Sequence, residues 1–394
     1  MSLPLIARSP DLKRLRDEGY DVQLVQGYLL VRDVPYLNNK REIKRGTLIA
    51  ALTMANNVAL QPADHVALFA GEYPCHVDGN PIERIRNSVN NTDVGAGVIS
   101  TFSFSAKPKP AGNYANFYDK MSTYADILSG PAQAIDPSIT AKTFPVVRED
   151  VIDDVFKYVD TASSRADITA IGAKIALRKI AVIGLGGTGS YVLDLVAKTP
   201  VREIHLFDGD AFLQHNAFRA PGAASGDELA EKLPKVEYFA RIYGKMRNGI
   251  VAHPYYASPE NLAALADVDF VFLCMEGGGK RAIVQKLEEM GRPFIDVGMG
   301  VYVANEALGG VMRTTTSVEG GRSHVWDKQR IPFSQGDGRN EYDKNIQIAD
   351  LNALNAAFAV IKWKKLFGFY VDQEKELYST YTIGGNDVDN QDAA

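Results

Sequence analysis

Four glycines separate an apolar run from a helical pattern in "KIAVIGLGGTGSYVLDLVAKT" (179–199). They are Gly184, Gly186, Gly187 and Gly189. A strand that leads through glycines into a helix can bind phosphate, because no side chain keeps the phosphate away from the backbone N–H groups. Asp208 follows at the end of the next apolar run, where a carboxylate can accept hydrogen bonds from ribose hydroxyls. This pattern predicts a nucleotide site and is equally typical of a nicotinamide dehydrogenase.

More polar residues follow in "DGDAFLQHNAFRAPGAASGDELAEKLPK" (208–235), namely Asp210, Asn216, Arg219 and Lys235. A dehydrogenase that binds a diphosphate has no evident need for a second acid and two cations here. A triphosphate with magnesium needs a carboxylate for the metal ion. It also needs Arg and Lys to neutralise the charge that builds up during displacement at phosphorus. The set therefore favours ATP over NAD.

The motifs GLGGTGS, LFDGD, HNAFR and PK resemble, in this order, the adenylating fold of the ThiF, MoeB, HesA and ubiquitin-activating enzyme family. The resemblance extends over about residues 165–370, with a longer insertion between Arg219 and Lys235 than is usual. It implies ATP-dependent adenylation of the C-terminal carboxylate of a ubiquitin-like or sulfur-carrier protein in a bacterial conjugation pathway. A conjugating partner enzyme and a homodimer are further expectations that the resemblance carries.

The resemblance also implies roles for individual residues. The loop from Gly184 to Gly189 would bind the nucleotide, and Asp208 would hold the ribose. Asn216, Arg219 and Lys235 would contact the phosphates and act in catalysis.

Asp210 and Glu276 are the candidate ligands for Mg²⁺. Glu276 departs from the family pattern, which has aspartate after this strand, and it reaches one methylene further. Family members also insert an arginine from the region before the glycine strand, often across a dimer, and Arg165 is the candidate for that catalytic role.

Many relatives transfer the acyl group to a cysteine in a long crossover loop, whereas this chain has only Cys75 and Cys274. Three alternatives stay open: adenylation without a covalent step, an oxyester on a hydroxyl of the polar segment 314–345, or transfer to Cys75, whose turn-like surroundings are compatible with partial exposure. We favour the first, because hydroxyls are weak nucleophiles without an adjacent base and only Ser323 beside His324 hints at one. The hydroxyl-bearing residues of this segment are Thr314, Thr315, Thr316, Ser317, Ser323 and Ser334.

Strands must alternate with helices to position these residues. "EIHLFDGD", "VDFVFLCME" and "PFIDVGMGV" follow the glycine strand with helical patterns between them, which predicts a parallel, doubly wound sheet. We expect an α/β architecture: a Rossmann-like adenylation domain at 148–394, preceded by a smaller α+β domain of unknown role at 1–147. A C-terminal amphipathic helix with an apolar face at Ile348, Leu351, Leu354, Phe358 and Ile361 suggests core packing or a dimer contact.

The bulk composition excludes several classes of protein. A formal net charge of −5 gives no reason to expect nucleic acid as a partner. Two distant cysteines argue against a disulfide framework, and neither a signal peptide nor a membrane span is indicated, so we expect a cytoplasmic protein. Two alternatives to the adenylating enzyme remain: a catalytically weak nucleotide-binding scaffold for a conjugation complex, and an NAD-dependent oxidoreductase.

Overall fold

The computed structural model describes residues 2–56, 58–147, 155–277, 279–333 and 346–393. The chain divides into two compact units, Met1–Val147 and Arg148–Ala394. Within the described residues, no helix is both long enough and apolar enough to cross a membrane.

The first unit is an antiparallel sheet packed against helices. Its helices are α1 (Ser2–Arg8), α2 (Pro10–Asp17) and α3 (Phe117–Ile135), and its strands are β1 (Asp21–Val25), β2 (Tyr28–Leu37), β3 (Ile43–Ala51), β4 (Met54–Ala55), β5 (Val58–Ala59), β6 (Val66–Ala70), β7 (Arg86–Asp93) and β8 (Ile99–Ser105). The main sheet has the order β1-β2-β3-β6-β8-β7. Gln26 and Gly27 join β1 to β2 with positive φ at both positions, as tight hairpin turns require. The α+β prediction for this region is confirmed.

The second unit contains an eight-stranded sheet of order β11-β10-β9-β12-β13-β14-β15-β16. Its strands are β9 (Lys179–Ile183), β10 (Glu203–Phe207), β11 (Ile250–His253), β12 (Phe270–Leu273), β13 (Phe294–Ala304), β14 (Ala307–Ser317), β15 (Glu376–Thr382) and β16 (Asp387–Ala393). Its helices are α4 (Thr161–Arg165), α5 (Thr169–Gly172), α6 (Gly187–Ala197), α7 (Gln214–Ala217), α8 (Gly226–Ala230), α9 (Lys235–Tyr243), α10 (Lys280–Glu289), α11 (Ser323–Asp327) and α12 (Ala349–Leu366). The strands from β11 to β13 pair in parallel, whereas β13 to β16 pair antiparallel.

Helices cover both faces of the parallel part of this sheet. Ile180 and Val182 of β9 point into a core shared with α6, α9 and α12. The alternating residues Ala181 and Ile183 point into a second core, which α10 completes. This arrangement confirms the doubly wound, Rossmann-like prediction.

One local expectation is wrong, and for another the structure contradicts one of its two alternatives. The polar segment predicted from 314 onward begins inside β14, where Thr314 to Ser317 are buried; β13 pairs with all four residues and β15 with Thr314 and Thr315. The predicted apolar face of α12 does not pack into the core at Leu354 and Ile361, which are 36% and 42% exposed, and its alternative role as a dimer contact stays a prediction. Instead α12 buries Asn352, Asn355, Ala356, Ala359, Val360, Lys362 and Trp363.

Candidate active site

The glycine loop connects β9 to α6, and three of its four glycines are required by close contacts. Gly184 has φ +89°, and a Cβ there would lie 2.8 Å from the Met275 nitrogen. A Cβ on Gly189 would lie 1.8 Å from the Gly184 oxygen, and one on Gly187 would lie 2.0 Å from Asn352 Nδ2. A Cβ on Gly186 would meet nothing within 4 Å. Three glycines therefore permit close packing of the loop, while Gly186 adjoins open space.

That open space is a cavity of about 790 Å³ at the carboxyl ends of β9, β10 and β12. In an open α/β sheet, ligands bind in the crevice outside these strand ends. Most of the predicted site residues line it together: Gly184, Gly186, Gly187, Asp208, Asp210, Arg219, Lys235 and Glu276. Residues from distant parts of the sequence thus meet around one space that is large enough for a nucleotide.

Lys235 links the two acids of the site. Its buried Nζ lies 2.6 Å from Asp210 Oδ2 and 3.5 Å from Asp208 Oδ1. Asp208 also accepts hydrogen bonds from the backbone nitrogens of Leu185 (2.7 Å) and Asp210 (2.9 Å). Asp208 is therefore fixed against the glycine loop.

Asp210 is the more exposed of the two acids, and it also accepts a hydrogen bond from the Tyr256 hydroxyl. Burial opposes its ionisation, but the hydrogen bonds from Lys235 and Tyr256 hold the pKa of Asp210 below its ordinary value. Asp210 is consequently a carboxylate at neutral pH.

Two further basic side chains border these acids. Arg219 is partly buried, and its Nε has no hydrogen-bond partner among the described residues. Arg219 also lines the cavity, where its positive charge favours an anionic ligand. Burial, together with the charges of Arg219 and Lys235, lowers the pKa of His215, which also lines the cavity. His215 is therefore neutral at neutral pH.

Three predicted site residues do not line this cavity. Gly189 packs against the carbonyl oxygen of Gly184. Asn216 is buried, and its Oδ1 accepts a hydrogen bond from the Leu213 nitrogen (2.8 Å) at the start of α7. Arg165 is exposed at the end of α4. Direct phosphate contacts by Asn216 and Arg165 remain predictions.

The proposed metal ligands Asp210 and Glu276 line the same cavity. No group of three or more His, Cys, Asp or Glu side chains suited to a metal ion occurs in the part of the chain that the structure describes. Magnesium, however, commonly binds one or two carboxylates together with phosphate oxygens and water. The pair therefore fits Mg²⁺ delivered with a nucleotide better than a resident metal centre.

Neither cysteine has the character of an activated nucleophile. Cys75 is 1% exposed, so the expectation of partial exposure is wrong, and burial raises the pKa of its thiol. Burial also raises the pKa of the Cys274 thiol. A thiol whose pKa is raised supplies little thiolate at neutral pH.

The serine beside a histidine, Ser323, also lacks an activating base among the described residues. His324 is buried with Nε2 2.9 Å from the Thr316 oxygen and Nδ1 3.6 Å from Asp392, so its ring nitrogens are directed at groups other than the exposed Ser323. Ser334 lies outside the described residues.

Sequence reasoning missed two amide side chains that contact the glycine loop, one on α12 and one in the segment just before it. Gln347 accepts a hydrogen bond from the Gly187 nitrogen (3.3 Å). Asn352 accepts one from Thr188 Oγ1 (3.1 Å) and donates to the Arg219 oxygen (3.3 Å). The available signal was the presence of several amides near the start of an otherwise apolar helix, because buried polar side chains need partners.

Comparison with known proteins gives the following matches. The ThiF family matches residues 165–318, and a domain of unknown function, DUF6791, matches residues 10–161. The search of curated proteins found no match.

Several solved structures are similar to the chain. The microcin C7 biosynthetic enzyme MccB in complex with N-formylated MccA is 16% identical, with a TM-score of 0.49 over 79% of this chain and 96% of that one. E. coli MccB with ATP is 17% identical, with a TM-score of 0.43 over 59% and 70% of the two chains. PaaA is 16% identical, with a TM-score of 0.45 over 57% and 76%.

Proposed function

We propose, from the ThiF family domain that residues 165–318 form, that the chain uses Mg-ATP to adenylate the C-terminal carboxylate of a polypeptide. We further propose that the polypeptide is a ubiquitin-like or sulfur-carrier protein, as the family resemblance implies. The observation that carries the proposal is the single cavity in which the glycine loop, Asp208, Arg219 and Lys235 meet. A dehydrogenase would leave this concentration of charge unexplained.

In the proposed reaction, a carboxylate oxygen of the substrate attacks the α-phosphorus of ATP. The bond between that phosphorus and the bridging oxygen to the β-phosphate breaks, and pyrophosphate leaves with the bonding electron pair. The products are an acyl-adenylate and pyrophosphate. Because the attacking carboxylate is already ionised, the reaction needs no general base, and catalysis depends on positioning and charge neutralisation.

The charged residues of the cavity have separate roles in the proposed reaction. Asp208, fixed by two backbone nitrogens, is suited to accept hydrogen bonds from the ribose hydroxyls. Lys235 and Arg219 are suited to neutralise the phosphates, since Lys235 can exchange its contact with Asp210 for a phosphate oxygen. Bound magnesium would be held by Asp210 and Glu276 and would neutralise charge on the departing pyrophosphate.

No enzyme-bound ester is needed in this scheme. The chain has two cysteines, both with raised thiol pKa values, and Ser323 lacks contact with the neighbouring imidazole nitrogens. We therefore propose that the acyl-adenylate passes directly to an acceptor, such as a conjugating partner enzyme. We also propose that the chain forms a homodimer in which Arg165 of one copy reaches the phosphates bound to the other.

Calorimetric titration with Mg-ATP and, separately, with NAD tests the nucleotide assignment. We expect Mg-ATP to bind at one site per chain and NAD to give no comparable heat. Binding of NAD without Mg-ATP would refute the proposal in favour of an oxidoreductase.

A further inference from the structure

A second cavity, of about 740 Å³, adjoins the nucleotide cavity in the unit formed by residues 148–394. The two cavities share one wall, made by Glu276, Gly277, Val297, Gly298 and Met299. A ligand in the second cavity can therefore present one end to a nucleotide in the first. Its volume is within the range of pockets that hold whole ligands rather than single waters.

Basic side chains dominate the second cavity. Lys280, Arg281 and Arg313 line it, and Glu276 is the only acid among the described lining residues. Asp296 lies beneath with 0% exposure, 2.7 Å from Lys280 Nζ and 2.6 Å from Arg313 Nη2. Among the described residues, three cations against two carboxylates leave a net positive charge, which favours an anionic ligand.

The position of Arg313 is fixed by its surroundings. Its Nη1 donates to the Arg330 oxygen (2.9 Å), and its guanidinium passes beside Gly298. A Cβ on Gly298 would lie 2.5 Å from Arg313 Nη2, so only glycine permits this path. The buried Lys280–Asp296–Arg313 group therefore holds its charge in place without ligand-induced rearrangement.

Arg281 is the cation of this cavity that has no carboxylate partner among the described residues. Its guanidinium carbon lies 5.5 Å from the ring centre of Trp326 and 5.4 Å from that of Phe333. The two rings stack with centres 5.1 Å apart. These contacts hold Arg281 in position without neutralising its charge, as a carboxylate-binding guanidinium requires.

We propose that the second cavity binds an acidic segment close to the C-terminus of the polypeptide substrate, with Arg281 as the residue that selects a carboxylate side chain. This inference rests on the proposed function, because the shared wall would lead the terminal carboxylate of that segment towards the α-phosphate. The substrate class is thus a polypeptide whose last few residues include Glu or Asp.

The test measures peptide binding in the absence of nucleotide. Short synthetic peptides carry two glutamates before a terminal glycine with a free carboxylate, and matched peptides carry glutamine instead. Trp326 is the reporter, because it lines the cavity while the other tryptophan, Trp363, is fully buried. The full chain is compared with Arg281→Gln and with the control Lys286→Gln, which removes an equal charge from the same helix outside the cavity.

We expect the glutamate peptide to bind about tenfold more tightly than the glutamine peptide and to weaken as salt is raised. Lys286→Gln should keep this preference, and Arg281→Gln should lose it. Equal binding of the two peptides, retention of the preference in Arg281→Gln, or binding of neither peptide would overturn the inference. If the proposed function is wrong, the wild-type chain should fail to bind Mg-ATP in the calorimetric titration. The peptide assay contains no nucleotide and is independent of that result.

Discussion

Replacement of Lys235 by alanine is the perturbation that separates phosphate binding from nucleoside binding. In the structure its buried Nζ lies 2.6 Å from Asp210 and 3.5 Å from Asp208. Hydrogen bonds to charged groups contribute about 1.5–3 kcal/mol. If the Lys235 ammonium group exchanges its carboxylate contact for a phosphate oxygen, that contact should account for about ten- to a hundredfold of the affinity for Mg-ATP. The two carboxylates that remain would also repel the phosphates.

The assay is calorimetric titration of wild type and Lys235→Ala with Mg-ATP and with adenosine. We expect adenosine to bind both proteins alike, because the carboxylate of Asp208 stays fixed by two backbone nitrogens. Lys198→Ala is the matched control, since Lys198 is an exposed lysine paired with Asp194 on α6. Equal affinity of wild type and Lys235→Ala for Mg-ATP, or an equal loss for adenosine, would refute the assignment of Lys235 to the phosphates.

The other predictions concern the loop, the metal and the cysteines. Gly186→Ala should unfold at the wild-type temperature but bind Mg-ATP weakly, because its Cβ enters open space at the cavity. Gly189→Ala should lose about 3 kcal/mol of folding free energy, because its Cβ would lie 1.8 Å from the Gly184 oxygen. Thermal denaturation measures the stability of both variants. Glu276→Gln should raise the Mg²⁺ concentration for half-maximal ATP binding on the order of tenfold, and an unchanged titration would remove Glu276 from the metal site. Wild type incubated with Mg-ATP and a peptide substrate should carry no acyl group that added thiol releases, because burial raises the pKa of both cysteine thiols. A thiol-sensitive adduct on wild type that is lost in the double variant Cys75→Ser, Cys274→Ala would contradict this prediction and support a thioester.

The sequence was sufficient to predict the glycine loop and the acids at the strand ends, because both depend on local rules. A buried strand that enters a glycine turn fixes where the next helix begins. The carboxyl ends of neighbouring parallel strands must then lie at the same edge of the sheet. Asp208, Asp210 and Glu276 therefore line the cavity as a direct consequence of the alternating pattern.

The buried face of α12 could not be predicted from hydrophobicity alone. An apolar stripe at Leu354 and Ile361 satisfies the helical period, yet both side chains are exposed in the chain. The helix instead turns Asn352 towards the glycine loop and packs the small residues Ala356 and Ala359 into the core. Close approach to the loop, which depends on tertiary structure, outweighs the apolar period in setting this face.

The threonine run from Thr314 to Thr316 illustrates a second limit. Its hydroxyls read as a polar segment, but β-branched residues also favour strands. Whether such a run lies in an exposed loop or inside a sheet depends on the strands beside it; here β13 pairs with the whole run and β15 with Thr314 and Thr315. The partner β15 begins at Glu376, about 60 residues later, so local sequence does not contain this information.

Exchange of labelled pyrophosphate into ATP tests the central claim most directly, because it requires both ATP binding and reversible formation of an acyl-adenylate. The assay uses the full chain with Mg-ATP and a pool of synthetic peptides that end in free carboxylates, with a C-terminally amidated pool as the control. We predict exchange with the free carboxylates and background exchange with the amides. A chain that binds Mg-ATP but exchanges pyrophosphate with neither pool would contradict adenylation and would indicate a nucleotide-binding scaffold.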